Sequence, residues 1–312
     1  MNYIDINSPK ILLAKEIHYK YLRYVIKKKI NGKYFTETKP FSNVTKIKQV
    51  SGISSMVRDF LNDENNLKKV LIGNPIILNS LKNIFKYKKQ KDSIKKLIDY
   101  DGWDDNSFYN PYDLAKNLDI PTCVYCNRMY TKTVQTVASR KITRPTFDHW
   151  FPKSEYPLLA LSFFNLIPSC NVCNSGVKGS TTFDIINYFH PYLNFPVLIE
   201  NLDFNFSYDY RDLTHFSFKI KARNNLSENT IKAFKLQEIY STHEDEIRDL
   251  KLLKDIYSDR YLQILYNDIL KRKVDKSEIY RLAFGTYIDE ANFDRRPLSK
   301  MKKDILTELG II

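Results

Sequence analysis

Cys123, Cys126, Cys170 and Cys173 are the only cysteines in the chain, and they fall as two C-x2-C pairs. That spacing lets two thiolates reach one tetrahedral ion, and an intracellular chain rarely keeps disulfides. A single four-cysteine zinc site is therefore expected. The alternative is four thiols packed as small hydrophobes, but chance seldom places two pairs both at i, i+3. Around the pairs stands a compact polar set: Asp148-His149, Lys153, Asn165, Asn174 and Lys178. Taken singly, each has an ordinary reading: His149 a loop histidine, Asp148 a turn or cap residue, Asn174 a helix N-cap, the lysines solvated. Their value lies in the combination.

These residues need particular elements to position them. Asp148-His149 closes a predicted strand and is followed by Trp-Phe-Pro. Neighbours on a strand point to opposite faces, so the two side chains converge only if the strand breaks into a loop there. Asn165 heads a short predicted strand, NLIPS, and Asn174 falls in the first turn of a helix beginning at the second cysteine pair. A zinc ion held by both pairs would fix that helix against the first strand.

The flanking regions differ in kind. Ser8-Pro9 reads as a cap and first-turn proline opening a helix over ILLAKEIHYKYLRYVIKKK, which Asn31-Gly32 ends. Further helices are predicted near 54–72, 75–86 and 92–99, before the acidic, turn-rich DYDGWDDNSFYNPYD. Beyond the centre, FNFSYDY and HFSFKIK alternate at period two and predict a hairpin. Helix returns from Ser227. Ser241-Thr-His-Glu reads as a capping box before a face of Ile247, Leu250, Leu253, Tyr257, Tyr261 and Ile264, and a last helix runs from Pro297 to Gly310. The expected fold is α+β and predominantly helical. It divides into a basic helical region (1–105), a zinc-bound core (106–185), and a small sheet followed by helices (186–312).

Composition limits the partners. The net charge is +13, and residues 1–100 carry 21 Lys/Arg against 8 Asp/Glu, whereas residues 101–312 carry 28 of each. The whole excess sits in the N-terminal third, which favours a polyanion, since each phosphate contact releases condensed counterions. An acidic protein partner is the alternative. The opening MNYIDINSPK shows no secretory leader, and the most apolar window, Tyr156 to Pro168, is too short to span a bilayer. A soluble cytoplasmic protein without a membrane partner is expected. His190 before Pro191 reads as a packed histidine, and His18, His215 and His243 as structural or surface residues.

FDHWFPKS…FNLIPSCNVCNSGVKG resembles the HNH (ββα-metal) endonuclease family, in the branch where a DH dipeptide, an NL pair and a final CN replace the literal His-Asn-His. The two C-x2-C pairs match its zinc-stabilised members, and the likeness covers roughly residues 121–180. The resemblance implies phosphodiester hydrolysis leaving a 3′-hydroxyl and a 5′-phosphate. His149 would then be the general base that activates water. Asp148 and Asn174 would hold one divalent ion, Mg2+ or Mn2+. Asn174 departs from the family's final histidine, and its oxygen favours a hard cation. Asn165 would be the middle residue, acting as an architectural hydrogen-bonder, and Lys178, with Lys153 behind it, would reach a phosphate oxygen. The motif is also similar to HNH proteins that work beside an ATPase in bacterial antiviral defence (the Septu type). DNA is the expected substrate. Two alternatives stand beside this reading: an HNH-type RNase or toxin effector, and a non-catalytic zinc module that binds nucleic acid.

Overall fold

The computed structural model describes residues 2–36, 47–136, 141–179, 181–193, 204–212, 215–256, 264, 267–268 and 275–312. Helix α1 (Pro9–Asn31) opens on Pro9, whose fixed φ suits a first turn, and ends at Gly32, with φ 59°. It buries Ile11, Ala14, His18, Tyr21, Leu22, Tyr24, Ile26 and Ile30, the period of an amphipathic helix. Against it pack α2 (Ser55–Asn62), α3 (Glu64–Ile72), α5 (Lys88–Leu97) and α7 (Pro111–Leu118), with α4 (Pro75–Leu81) beside α3 and the short α6 (Tyr100–Asp104) before α7. The helix expected over 54–72 is two helices. Asp63 adopts extended backbone and its side chain caps α3 through the Asn66 N–H, which offsets the break.

The centre holds small antiparallel pairs. β1 (Val134–Gln135) pairs with β2 (Lys141–Thr143), and β3 (Thr146–His149) pairs with β4 (Leu166–Ser169) in the register Asp148↔Ile167 and His149↔Leu166. After β4 the chain enters a seven-residue π-helical segment, Val172–Lys178, where an ordinary α-helical turn was expected. The alternating aromatic segments form the predicted hairpin, β5 (Phe204–Asp212) with β6 (His215–Ala222). Its inner face carries Phe206 and Phe218, which meet the ring of Tyr240.

Helices α8 (Asn225–Ala233), α9 (Leu236–Tyr240), α10 (Glu244–Ile256), α11 (Lys276–Phe284) and α12 (Ser299–Glu308) complete the described chain. Ser241 does not build the expected capping box. Its hydroxyl donates back to the Glu238 carbonyl, and Ser241–His243 is a 3-10 turn leading into α10. Ile247 and Leu250 are buried on α10, Ile264 is exposed, and Tyr257 and Tyr261 lie outside the described residues. The last helix begins two residues later than expected, because Leu298 takes a left-handed conformation just before it.

The protein is thus mixed helix and strand, and one continuous cluster of buried apolar side chains runs from Ile4 to Leu309 through all three sequence regions. Polar ties join them as well. His18 on α1 bonds the Tyr109 hydroxyl and the Leu161 carbonyl, and Asn127 donates to Phe293 O. Among the described residues no helix is long and apolar enough to cross a membrane.

Candidate metal centre and adjoining polar site

The two cysteine pairs meet. The turn carrying Cys123 and Cys126 reaches β4 through the Val124 N–H and the Pro168 carbonyl, which brings it beside Cys170 and Cys173. All four thiols are buried and free, and their sulfurs lie within 4.8 Å of one another, with Cys126 and Cys170 4.0 Å apart. Four thiolates at about 2.3 Å from a zinc ion would stand about 3.8 Å apart, so the cluster fits a tetrahedral zinc site with little adjustment. Burial pushes the Cys123 thiol up, whereas hydrogen bonds from Cys123 hold Cys126 and Cys170 down. The hydrogen bond from Cys123 pushes the Cys173 thiol up, so two of the four thiols are raised and two lowered.

Tyr125, inside the first C-x2-C turn, connects this cluster to the polar set. Its ring stacks on Phe234 with centroids 4.1 Å apart, and its hydroxyl donates to Asp148 Oδ2 at 2.5 Å. Asp148 is buried, and its other oxygen accepts from Lys178 Nζ at 2.9 Å. Lys178 is buried too, and donates a second bond to the His149 carbonyl at 2.9 Å. Burial pushes the Asp148 carboxyl up, opposed by the Lys178 charge and the Tyr125 hydrogen bond.

His149 faces a different set of groups. Its Nε2 lies 2.9 Å from the Ala160 carbonyl, and the Tyr100 ring meets it edge-on at 4.6 Å. A carbonyl only accepts, so Nε2 carries the proton and Nδ1 the lone pair. Burial, more than the nearby Lys153 and Lys178 charges, pushes the imidazole down to about 4, while the Ala160 bond opposes. The ring is thus neutral at pH 7 in a fixed tautomer with Nδ1 free to accept a proton, although a value of about 4 makes it a weaker base than one poised near the working pH. Asp148 and His149 keep the alternation of a strand, and their side chains find separate partners.

Asn165 is fully buried and closes the loop after β3. Its Oδ1 accepts from the Phe151 N–H at 2.7 Å, and its Nδ2 donates to the carbonyls of Phe151 and Leu159. All of its side-chain hydrogen bonds go to backbone, one of them to Leu159, the residue before the Ala160 whose carbonyl meets His149. Asn174 is half-buried on the π-helical segment, and its side chain makes no hydrogen bond among the described residues. Lys153 is half-buried, pairs with Asp101 at 2.7 Å and lies over the Tyr100 ring. His190 is buried against Trp150, with centroids 4.6 Å apart.

The structure therefore joins Asp148, Lys178 and the His149 backbone directly, and Asn165 to the His149 loop. It leaves the Asn174 side chain apart from them. As a donor set, the Asp148 carboxylate and the unpartnered Asn174 amide are hard oxygens, and Mg2+ commonly takes only one or two protein ligands. Both Asp148 oxygens are already engaged, by Lys178 and Tyr125, and among the described residues only the four cysteines group as a possible metal site. Sequence reasoning missed Tyr125 and Tyr100. The first had a signal, an aromatic with a polar tip between two knuckle cysteines, and the second had none.

Comparisons of the chain with protein-family models, with curated proteins and with solved structures returned no match.

Proposed function

We propose that this chain is a metal-dependent endonuclease of the HNH (ββα-metal) type, with zinc in the cysteine cluster and a His149-centred site that hydrolyses nucleic-acid phosphodiester bonds. The observation that carries it is His149. It is a neutral imidazole held by one backbone carbonyl, at the end of a strand whose preceding residue is a buried carboxylate. The order strand, strand, helical segment, with the DH pair on the first and Asn174 on the last, is the arrangement such a site needs.

In this reading Nδ1 of His149 takes the proton of the attacking water. Asp148 and Asn174 would hold one Mg2+ or Mn2+, which supplies Lewis-acid stabilisation of charge on the phosphate and the leaving oxygen. Tyr125 and Lys178 fix the Asp148 carboxylate, and Asn165 fixes the loop that orients His149. DNA is the expected substrate, and RNA is chemically open because attack is at the phosphate. The resemblance to antiviral HNH proteins suggests an ATPase partner, which co-purification would test. A cytoplasmic setting accords with four free thiols.

A non-catalytic zinc module is the second reading. It is favoured by one observation: both Asp148 oxygens are already engaged, by Lys178 and Tyr125. The two readings separate when purified protein is incubated with plasmid DNA, single-stranded DNA and total RNA, with and without Mg2+. Mg2+-dependent cleavage that His149→Ala abolishes supports the nuclease. Binding with no cleavage of any substrate supports the module.

A further inference from the structure

The basic N-terminal third does not present its lysines evenly. On α1, Lys27 is buried, donates to the Asn62 carbonyl and pairs with Glu64 at 3.4 Å. Lys28 donates to Phe35 O, and Lys29 to Lys96 O, with Asp99 3.8 Å away. These three ammoniums serve the fold. Around the start of α5 the opposite holds. Lys86, Lys88 and Lys89 are exposed, and their side chains make no hydrogen bond or ion pair among the described residues. No acidic residue lies in the first turn of α5. The ammoniums stand at the positive end of the helix, so its dipole adds to their field and does not offset it.

In the middle of these lysines stands Tyr87, 75% exposed, with Ile84 and Met56 also exposed nearby. Gln90 ties Met56 to α5. Basic groups interleaved with an exposed aromatic ring suit a nucleic acid whose bases are unpaired, because the ring can stack only on a base face that no partner strand covers. The surface also leads toward His149. Lys91 of α5 donates to the Glu155 carbonyl at 3.0 Å, and α5 packs on the turn Pro157–Leu159, just before the Ala160 carbonyl that holds His149. Lys82 lies over the rings of Phe151 and Tyr156 in that same loop.

We infer that Tyr87 with Lys86, Lys88 and Lys89 forms a docking surface for single-stranded nucleic acid, which feeds the scissile phosphate to His149. This rests on the nuclease reading for its purpose and not for its binding. The test is therefore fluorescence anisotropy on the His149→Ala protein, which does not require cleavage. The probes are one oligonucleotide sequence as single-stranded DNA, single-stranded RNA and blunt duplex, with polyglutamate as an acidic-peptide control. Single strands, DNA or RNA, are expected to bind more tightly than duplex. Tyr87→Ala should weaken single-strand binding roughly tenfold and leave duplex binding nearly unchanged. Replacing all three lysines by Gln should weaken both and reduce the salt slope for single strands by about 2. Equal affinity for duplex, no effect of Tyr87→Ala, or polyglutamate binding as tightly as the oligonucleotides would overturn the inference. Tight single-strand binding by a protein that never cuts would remove the nuclease reading and leave this surface standing.

Discussion

Lys178 Nζ lies 2.9 Å from Asp148 Oδ1, and both side chains are closed to solvent. In the buried interior each charge depends on the other, and removing one partner of such a pair typically costs about 3–5 kcal/mol. The pair also places an ammonium on the carboxylate that a divalent ion would use. Lys178→Met should therefore lower stability by about 3–5 kcal/mol in metal-free buffer. Added Mn2+ should recover more of that loss than it adds to the wild type, because an ion that binds only the folded state stabilises it by mass action. Thermal denaturation across an Mn2+ titration checks this. Equal Mn2+ responses in the two proteins would show that Asp148 is no ligand.

Tyr125 makes the cysteine cluster and the polar site one unit. Tyr125→Phe keeps the stacking on Phe234 and removes only the hydroxyl that donates to Asp148. A hydrogen bond to a charged group is worth about 1.5–3 kcal/mol, and urea denaturation should show a loss of that size with zinc content unchanged. Cys123→Ser should instead lose zinc by elemental analysis and unfold the centre, since metal binding in such units is largely folding free energy.

Two buried histidines, His18 and His190, and the half-buried His149 set the acid limit of stability. Burial pushes His18 and His149 down to about 4 and His190 down to about 3, from an ordinary value of 6.5. All three shifts are downward, so the unfolded chain takes up protons first as pH falls below 6.5. Their contribution is complete above that pH and is lost as pH falls through 4 and then 3, on the order of 3 kcal/mol for His18 alone. Urea midpoints measured between pH 7 and pH 4 should fall steeply. His18→Gln should flatten the curve. The cleavage rate should keep its acid limb near pH 4 and not near 6.5, since His149 remains neutral until then.

Periodicity and spacing made much of this legible. The apolar stripe of α1, the alternation of FNFSYDY with HFSFKIK, and the meeting of the four cysteines follow from local pattern. Lys27 was legible in principle, because helical spacing sets it on the same buried side as Tyr24 and Ile30, yet counting charges hides that. The contacts that define the polar site were not legible. Tyr125 to Asp148 and Tyr100 to His149 join residues far apart in sequence; the place of Tyr125 between two cysteines marks the residue but not its partner, and nothing local marks Tyr100. Nor could local pattern foresee that Asp63 would cap α3 rather than continue α2, that Ser241 would bond backward to Glu238, or that the turn after Cys170 would be π-helical.

In the proposed nuclease His149 is the base, and Asp148 and Asn174 serve an ion. The decisive measurement is the cleavage rate against Mg2+ and Mn2+ concentration for wild type, His149→Ala and Asn174→Ala. Lost metal ligation can be compensated by more metal, whereas a lost proton acceptor cannot, and removing a general base typically costs about 10²–10⁴ in rate. Asn174→Ala is expected to recover activity at high metal while His149→Ala stays inactive at every concentration, with zinc content and fold intact. Wild-type cleavage by His149→Ala, or its full rescue by metal alone, would contradict it.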